Sequence, residues 1–340
     1  MNVSEVCPVG EVDGNGIAEG PGKSPGRQAM LVVALRALLL APGARARMLR
    51  PIKQFLFSSQ PGSSAQRCEI NTLDEYEAQH RALAVMLDRP HKIDSDPDIG
   101  ELRSLMACDR SPDGSLSWPD CLFLTAFTSI IAPARLIEIG TLSGFSAGIM
   151  AAAVRRQRRT ESVVVETIDL RTHCLKDENR PVGFAIAQIF PQHAAAVRVH
   201  APHDSRHVAH LAARDELELA FIDASHRHPN PLLDLLRVAV RVRPRGWILL
   251  HDIRLGSLGA EMRAAGAELP YSTPFGAEWV FARWPFRKIS GGNIGAVQLP
   301  DDKMAIVPFA LEMLTLPSEL KQRQSDAAAA AVYAALADLA

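Results

Sequence analysis

The sequence predicts an α/β fold: a doubly wound, mostly parallel sheet of seven strands with an N-terminal helical extension. Three segments carry that prediction: 136–146 (LIEIGTLSGFS), 219–226 (LAFIDASH) and 247–253 (WILLHDI). Each is a short apolar run that ends in polar residues, the pattern of a strand buried on both faces in a parallel sheet. In open α/β sheets, ligands bind at the carboxyl ends of the strands. The pattern therefore delivers Glu138, Gly140, Gly144, Asp223, His226, His251 and Asp252 to one rim.

The rest of the chain fits around these strands. Residues 1–27 are rich in Gly, Pro and Ser, which predicts disorder. Residues 28–57 hold Arg36, Arg45, Arg47, Arg50 and Lys53, no acidic residue, and the apolar stretch 30–41. Such a segment either packs on its own domain or lies on a membrane surface or a partner, and packing is the favoured reading. The stretch is too short for a span, which needs about 20 apolar residues. Helices are expected over 73–88 and 98–108. Ser117-Trp-Pro-Asp120 reads as a capping box opening a helix to about Ile131, stopped by Pro133. Strands over 135–139, 163–168, 195–199, 217–222 and 246–250 then alternate with helices over 145–156, 182–190, 207–213 and 230–240. Asn230-Pro231 supplies the start signal for the last of these. Alternation of this kind implies crossover connections and a parallel sheet. Residues 278–282 and 295–299 are expected to form an antiparallel edge pair, and 327–340 an alanine-rich tail helix.

Bulk properties exclude several classes of function. The 340 residues carry a net charge of −1, so no global field attracts nucleic acid. Apolar content of 47% and charged content of 22% are ordinary for a globular protein. The five cysteines, Cys7, Cys68, Cys108, Cys121 and Cys174, form no CxxC pair. That argues against disulfides and thiolate metal knots and favours a cytoplasmic setting.

The rim residues suggest a chemistry. Glu138-x-Gly140-x-x-x-Gly144 sits between a strand and a helix, where glycines admit a ligand close to the backbone. It is not the G-x-G-x-x-G dinucleotide fingerprint. An acid before the first glycine would repel a pyrophosphate but suits an amino group or a sulfonium. Asp169 ends the second strand, 29 residues after Gly140, where a carboxylate can accept ribose hydroxyls or simply close a turn. His203-Asp204-Ser205 follows the third strand, where a ligand's base would lie; Asp204 and Ser205 also read as a helix start. Asp223 and Asp252 end adjacent strands beside histidines. Two carboxylates and an imidazole suit Mg²⁺, or a transition metal if His251 joins; the alternative is an Asp–His pair that only satisfies hydrogen bonds. His226 reaches over the same site and can act as a general base near neutral pH. The spacing of His200, His203, His207 and His210 does not suit a structural zinc site.

On IEIGTLSGFSA, TIDL, HDS, FIDASH, ILLHDI and GGNIGAV, residues 116–300 resemble a class I S-adenosylmethionine (SAM)-dependent methyltransferase. Within that Rossmann-like fold they resemble the metal-dependent branch acting on sugar and antibiotic hydroxyls. The resemblance implies that Glu138, Gly140, Thr141, Ser143 and Gly144 hold the methionine part of SAM. It places the ribose on Asp169 and the base near Asp204 and Ser205. It further implies a divalent metal, Mg²⁺ in the first instance, on Asp223, His251 and Asp252, and His226 as catalytic base. His251 stands where some relatives have Glu. The implied division is a disordered 1–27, a basic helical extension 28–115, the methyltransferase domain 116–300 and a helical tail 301–340. The implied partner is a small-molecule or sugar acceptor, with self-association possible. Rival readings are an NAD(P)-dependent oxidoreductase, for which the third glycine is missing, and a SAM-binding module without turnover.

Overall fold

The computed structural model describes residues 27–40, 45–57, 62–89, 96–106, 116–158, 162–175, 177–267 and 274–339. Its strands are β1 (Gln66–Arg67), β2 (Leu136–Ile139), β3 (Val165–Ile168), β4 (Val197–His200), β5 (Leu217–Ile222), β6 (Val242–His251), β7 (Lys288–Gly291) and β8 (Ile294–Gln298). They form one sheet in the order β1-β7-β8-β6-β5-β2-β3-β4. The ladders from β6 to β4 are parallel, whereas β8 runs antiparallel to both β6 and β7. The chain leaves β2 toward β3 and β4, then returns to β5 on the other side of β2. The β2–β5 seam is therefore the topological switch point, where such sheets open a crevice.

The helices are α1 (Arg27–Leu40), α2 (Arg45–Phe57), α3 (Leu73–Met86), α4 (Asp96–Met106), α5 (Trp118–Ile131), α6 (Phe145–Arg158), α7 (Phe184–Ile189), α8 (Val208–Leu211), α9 (Asn230–Ala239), α10 (Leu255–Ala264), α11 (Gly276–Arg283), α12 (Val307–Met313) and α13 (Gln322–Leu339). Strand residues alternate between two cores. Ile137, Ile139, Ile222, Ile248 and Leu250 meet α1, α2, α9, α11, α12 and α13 on one face. Leu136, Phe221 and Leu249 meet α3, α4, α5 and α6 on the other. Burial on both faces is why these strands read as continuous apolar runs.

The capping box forms as read. The Ser117 side chain accepts from the Asp120 amide, and the Asp120 carboxylate accepts from the Ser117 amide. The basic segment docks through Val33, Ala34, Ala37, Met48, Ile52 and Phe55 onto the core that holds Phe309 and Leu336. This is the packed alternative of the two the sequence offered. Of the expected disordered segment, only Arg27 falls among the described residues, as the first residue of α1.

The edge of the sheet departs from expectation. Residues 278–282 are not a strand but lie in α11, with Ala277, Trp279, Val280 and Phe281 buried. The antiparallel partner of β8 is instead β7, which opens on a buried lysine. Lys288 Nζ donates to the carbonyls of Phe281, Ala282 and Trp284, closing the C-terminal end of α11. A lysine in that position hid the strand from a reading based on hydropathy. The sheet has eight strands rather than seven because β1, two residues long, pairs alongside β7. The expected 207–213 helix divides into a 3-10 turn (Ser205–His207) and α8. Asn230 is the first residue of α9, not its cap, and its side-chain amide donates to Ser225 Oγ.

Candidate active site

The turn after β2 lies at the switch point. Gly140 has φ +101°, and a Cβ there would come within 1.9 Å of the Asp223 carbonyl oxygen at the end of β5. The glycine is thus required by the approach of two strand ends, whatever ligand sits above them. Gly144 has φ +81°, and its missing side chain makes room for Ile186 of α7. Thr141 N and Leu142 N donate to Asp169 Oδ2 at 3.1 and 2.9 Å, and Arg171 N donates to Oδ1 at 2.9 Å. Asp169 therefore holds the glycine turn against the end of β3. Ser143, between the glycines, is buried, and its hydroxyl accepts from the Phe145 amide at the head of α6.

Glu138 is fully buried beneath this turn. Thr167 Oγ1 donates to its Oε2 at 2.5 Å, Ser146 Oγ donates to its Oε1, and Thr141 Oγ1 joins the chain through Thr167. Burial pushes its pKa up to about 8 against the pull of these hydroxyls, and the charges of Asp223 and Asp169 add to the rise.

Across the seam stands a carboxylate–imidazole cluster. His226 Nε2 lies 3.1 Å from Asp252 Oδ2 and 3.8 Å from Asp223 Oδ1. Ligand atoms of Asp223, His226 and Asp252 all lie within 4.8 Å of one another, and this is the group of that kind among the described residues. Asp252 adopts φ +59°, a left-handed conformation that aspartate tolerates better than most side chains. The strand register explains the meeting: β5 and β6 run side by side to Ile222 and Leu250, so Asp223 and the 251–252 pair leave neighbouring strand ends.

His251 sits deeper. Its Nδ1 is 3.1 Å from Asp223 Oδ1 and its Nε2 is 3.4 Å from Asp120 Oδ2. Burial alone would lower its pKa, but the Asp223 charge and the bonds to Asp120 and Asp223 hold it well above the ordinary histidine range. Burial would likewise raise the Asp120 and Asp223 carboxyls, yet the facing imidazole holds both below the usual range. With both ring nitrogens facing carboxylates, His251 orients Asp223.

Two contributors escaped the sequence reading. Asp120, the N3 residue of the α5 capping box, is 1% exposed and binds His251 from behind. Asn293, in the β7–β8 turn, donates from its backbone to Asp120 Oδ1 at 2.6 Å and from its side chain to Asp252 Oδ1 at 2.5 Å. The capping box and the GGN turn carried the signal, but nothing in the sequence said that they face each other.

The expected base-binding loop splits in two. Asp204 caps the 3-10 turn through Arg206 N at 2.8 Å and pairs with the Arg206 guanidinium. Ser205 is buried, donates to Asp234 and accepts from Arg237 Nη1 at 2.7 Å, so its hydroxyl points into the protein. Beside Asp204 a cavity of about 290 Å³ is lined by Leu170, Pro202, His203, Asp204, Arg206, His207 and His210. Leu170, next to Asp169, leaves 71% of its surface exposed at this edge. His203 and His207 stack with ring centroids 3.9 Å apart, and His200 Nε2 meets the buried Glu166 at 2.7 Å. The strand ends thus carry the glycine turn held by Asp169, a cavity lined by Leu170, imidazoles, Asp204 and Arg206, and the carboxylate cluster.

Residues 137–253 match a family described as a methyltransferase domain. No curated protein matches the chain. Among solved structures, the cofactor-bound Rv0187 from MTB is 19% identical, with a TM-score of 0.40 over 63% of this chain and 94% of its own. An O-methyltransferase from Bacillus cereus in complex with SAH is 17% identical, with a TM-score of 0.38 over 67% of this chain and 100% of its own. TomG, an O-methyltransferase from Streptomyces achromogenes in complex with SAM, is 16% identical, with a TM-score of 0.36 over 62% of this chain and 84% of its own. The stretch that matches the methyltransferase-domain family, from β2 to just past β6, holds the glycine turn and the carboxylate cluster.

Proposed function

We propose that this protein transfers the methyl group of SAM to a hydroxyl of a small molecule or sugar. The observation that carries the reading is the meeting, across the β2–β5 seam, of the glycine turn and the Asp223–His226–Asp252 cluster. SAM bears a sulfonium and an ammonium. Asp169 and Asp252 put carboxylates at the two sides of that edge, which suits those cations better than a dinucleotide's pyrophosphate. The cavity beside Leu170 and His203 supports the adenine, and the 140–144 turn the methionine part.

Asp223 and Asp252 have the donor chemistry for a hard divalent cation such as Mg²⁺, and their spacing fits one. When bound, such a cation would lower the pKa of an acceptor hydroxyl and fix its position. His226 is the more exposed imidazole of the cluster, and its Nε2 is free of any backbone tie, so it is assigned the proton. The acceptor oxygen attacks the methyl carbon, the C–S bond breaks with its electron pair going to sulfur, and the hydroxyl proton passes to the His226 imidazole. Asp120 and His251 hold Asp223 in place. Burial of Cys68, Cys121 and Cys174 supports a reducing, cytoplasmic setting.

Calorimetry tests the reading. SAM or its demethylated product should bind with micromolar affinity, about −8 kcal/mol. Binding of NADH without SAM would refute it. His226→Ala should lower turnover by about 10²–10⁴-fold with SAM affinity retained. If the variant instead loses Mg²⁺ affinity by the same factor, His226 is a ligand and the proton goes elsewhere.

A further inference from the structure

Helices α1 and α2 each bury one side; the other side of α1 is largely apolar, and that of α2 sets Leu49 and Phe57 among basic residues. On α1, Leu31, Val32, Leu35 and Leu39 are 52%, 49%, 51% and 68% exposed, while Val33, Ala34 and Ala37 are buried in the core. Leu31, Leu35 and Leu39 follow one another at four-residue steps, so they form a single stripe. On α2, Leu49 and Phe57 are 51% and 85% exposed. Among the described residues, six of the thirteen large apolar side chains exposed to this degree lie on these two helices; the remainder are dispersed along the chain. Single exposed leucines need no explanation, but a contiguous group does.

The charge that the two helices themselves carry has one sign. Arg36, between Val32 and Leu39 on the exposed side of α1, and Arg50 and Lys53 on α2 are all exposed. From Arg27 to Phe57 the sequence contains no Asp or Glu. A second copy of this chain meeting the patch about a twofold axis would set cation against cation, with no carboxylate from either helix to offset them. A surface of anionic headgroups offsets them directly. At 14 residues α1 is too short to span a bilayer, and no helix among the described residues is long and apolar enough to do so. A helix whose apolar side is free and whose flanks are basic is suited to lie in the plane of the interface, with its leucines at the headgroup–acyl boundary.

We propose that the exposed side of α1 and α2 docks the protein on an anionic lipid surface. The protein rests there as a folded unit, because the opposite side of both helices is already committed to the core with α12 and α13. Leu31, Leu35 and Leu39 supply the insertion, and Arg36, Arg50 and Lys53 the attraction, each basic residue adding roughly fivefold to partitioning. The inference is independent of the transferase reading and of the metal.

Sedimentation of the full chain with vesicles tests it. The protein should pellet with phosphatidylcholine vesicles that contain phosphatidylglycerol and stay in solution with phosphatidylcholine alone. Raised salt should release it. Paired substitutions Leu35→Gln and Leu39→Gln, or Arg50→Gln and Lys53→Gln, should each weaken vesicle binding by about tenfold or more. The melting temperature and SAM affinity should stay unchanged in both, because these side chains lie outside the core. Equal partitioning onto both vesicle types, or none onto either, would overturn the proposal. So would a dimer in light scattering that Leu35→Glu dissociates while the wild type ignores vesicles, since the patch would then be a self-association surface.

Discussion

Replacing Asp120 with asparagine isolates the charge that stands behind His251. Asp120 is the N3 residue of the capping box, and an asparagine oxygen there can still accept from the Ser117 amide, so the start of α5 is preserved. What changes is the second carboxylate oxygen. In the wild type, Oδ1 accepts from Asn293 N, while Oδ2 accepts from Ser117 N and Ser117 Oγ and faces His251 Nε2. An amide has one acceptor, so its NH₂ must point at one of these donors. A hydrogen bond to a charged group is worth about 1.5–3 kcal/mol, and an orphaned buried donor costs about 1–3 kcal/mol. The expected destabilisation of Asp120→Asn is roughly 4 kcal/mol, of which about 2 kcal/mol belongs to the charged imidazole and varies with pH.

The direction of that variation follows from the shifts. The folded His251 pKa is raised above the ordinary value, so its contribution is fully present below that value and is lost as pH rises through the folded one. The folded Asp120 pKa is lowered, so its contribution is lost only as pH falls through that low value. The clamp is therefore at full strength in mildly acidic solution. Denaturant unfolding of wild type and Asp120→Asn, with chelator present, should show the larger gap near about pH 6 and a smaller one at about pH 9–10. A gap of constant size across that range, or no gap at all, would refute the clamp and leave Asp120 as a helix cap alone.

Other expectations follow from the same site. Gly140→Ala should melt lower by ~4 °C, from about 3 kcal/mol of left-handed strain and displacement of the Asp223 carbonyl; a variant of normal stability that fails to bind SAM would return the glycine to the ligand. Glu138→Gln should remove a loss of stability that the wild type shows as pH rises from the unfolded glutamate value toward about 8, because the buried folded group keeps its proton while the unfolded one releases it. The full effect is up to roughly 5 kcal/mol, and parallel pH profiles for the two proteins would exclude it. Asp252→Asn should weaken Mn²⁺ binding by at least about tenfold, followed by electron paramagnetic resonance, with SAM affinity retained; undiminished Mn²⁺ binding would make the Asp223–Asp252 pair structural.

The sequence by itself determined the sheet's centre and the rim. Strands buried on both faces announce themselves as apolar runs, and the polar residues that end them are forced to one edge by parallel topology. Glu138, Gly140, Asp169, Asp223, His226 and Asp252 were legible for that reason. The capping box was legible because its bonds are local, between Ser117 and Asp120. Tertiary structure alone decided the rest. That Asp120 also faces His251 across 131 positions is a property of how α5 crosses the sheet, and no local pattern encodes it. Packing likewise decided that Gly140 answers to the Asp223 carbonyl, that the Ser205 hydroxyl turns inward, and that β7 opens on a lysine. Those facts depend on which chains approach one another, whereas periodicity reports only which side of an element is dry. The same limit applies to α1: its composition showed that it would bury apolar surface, but only the packed fold shows which leucines remain outside and that their neighbours are cations.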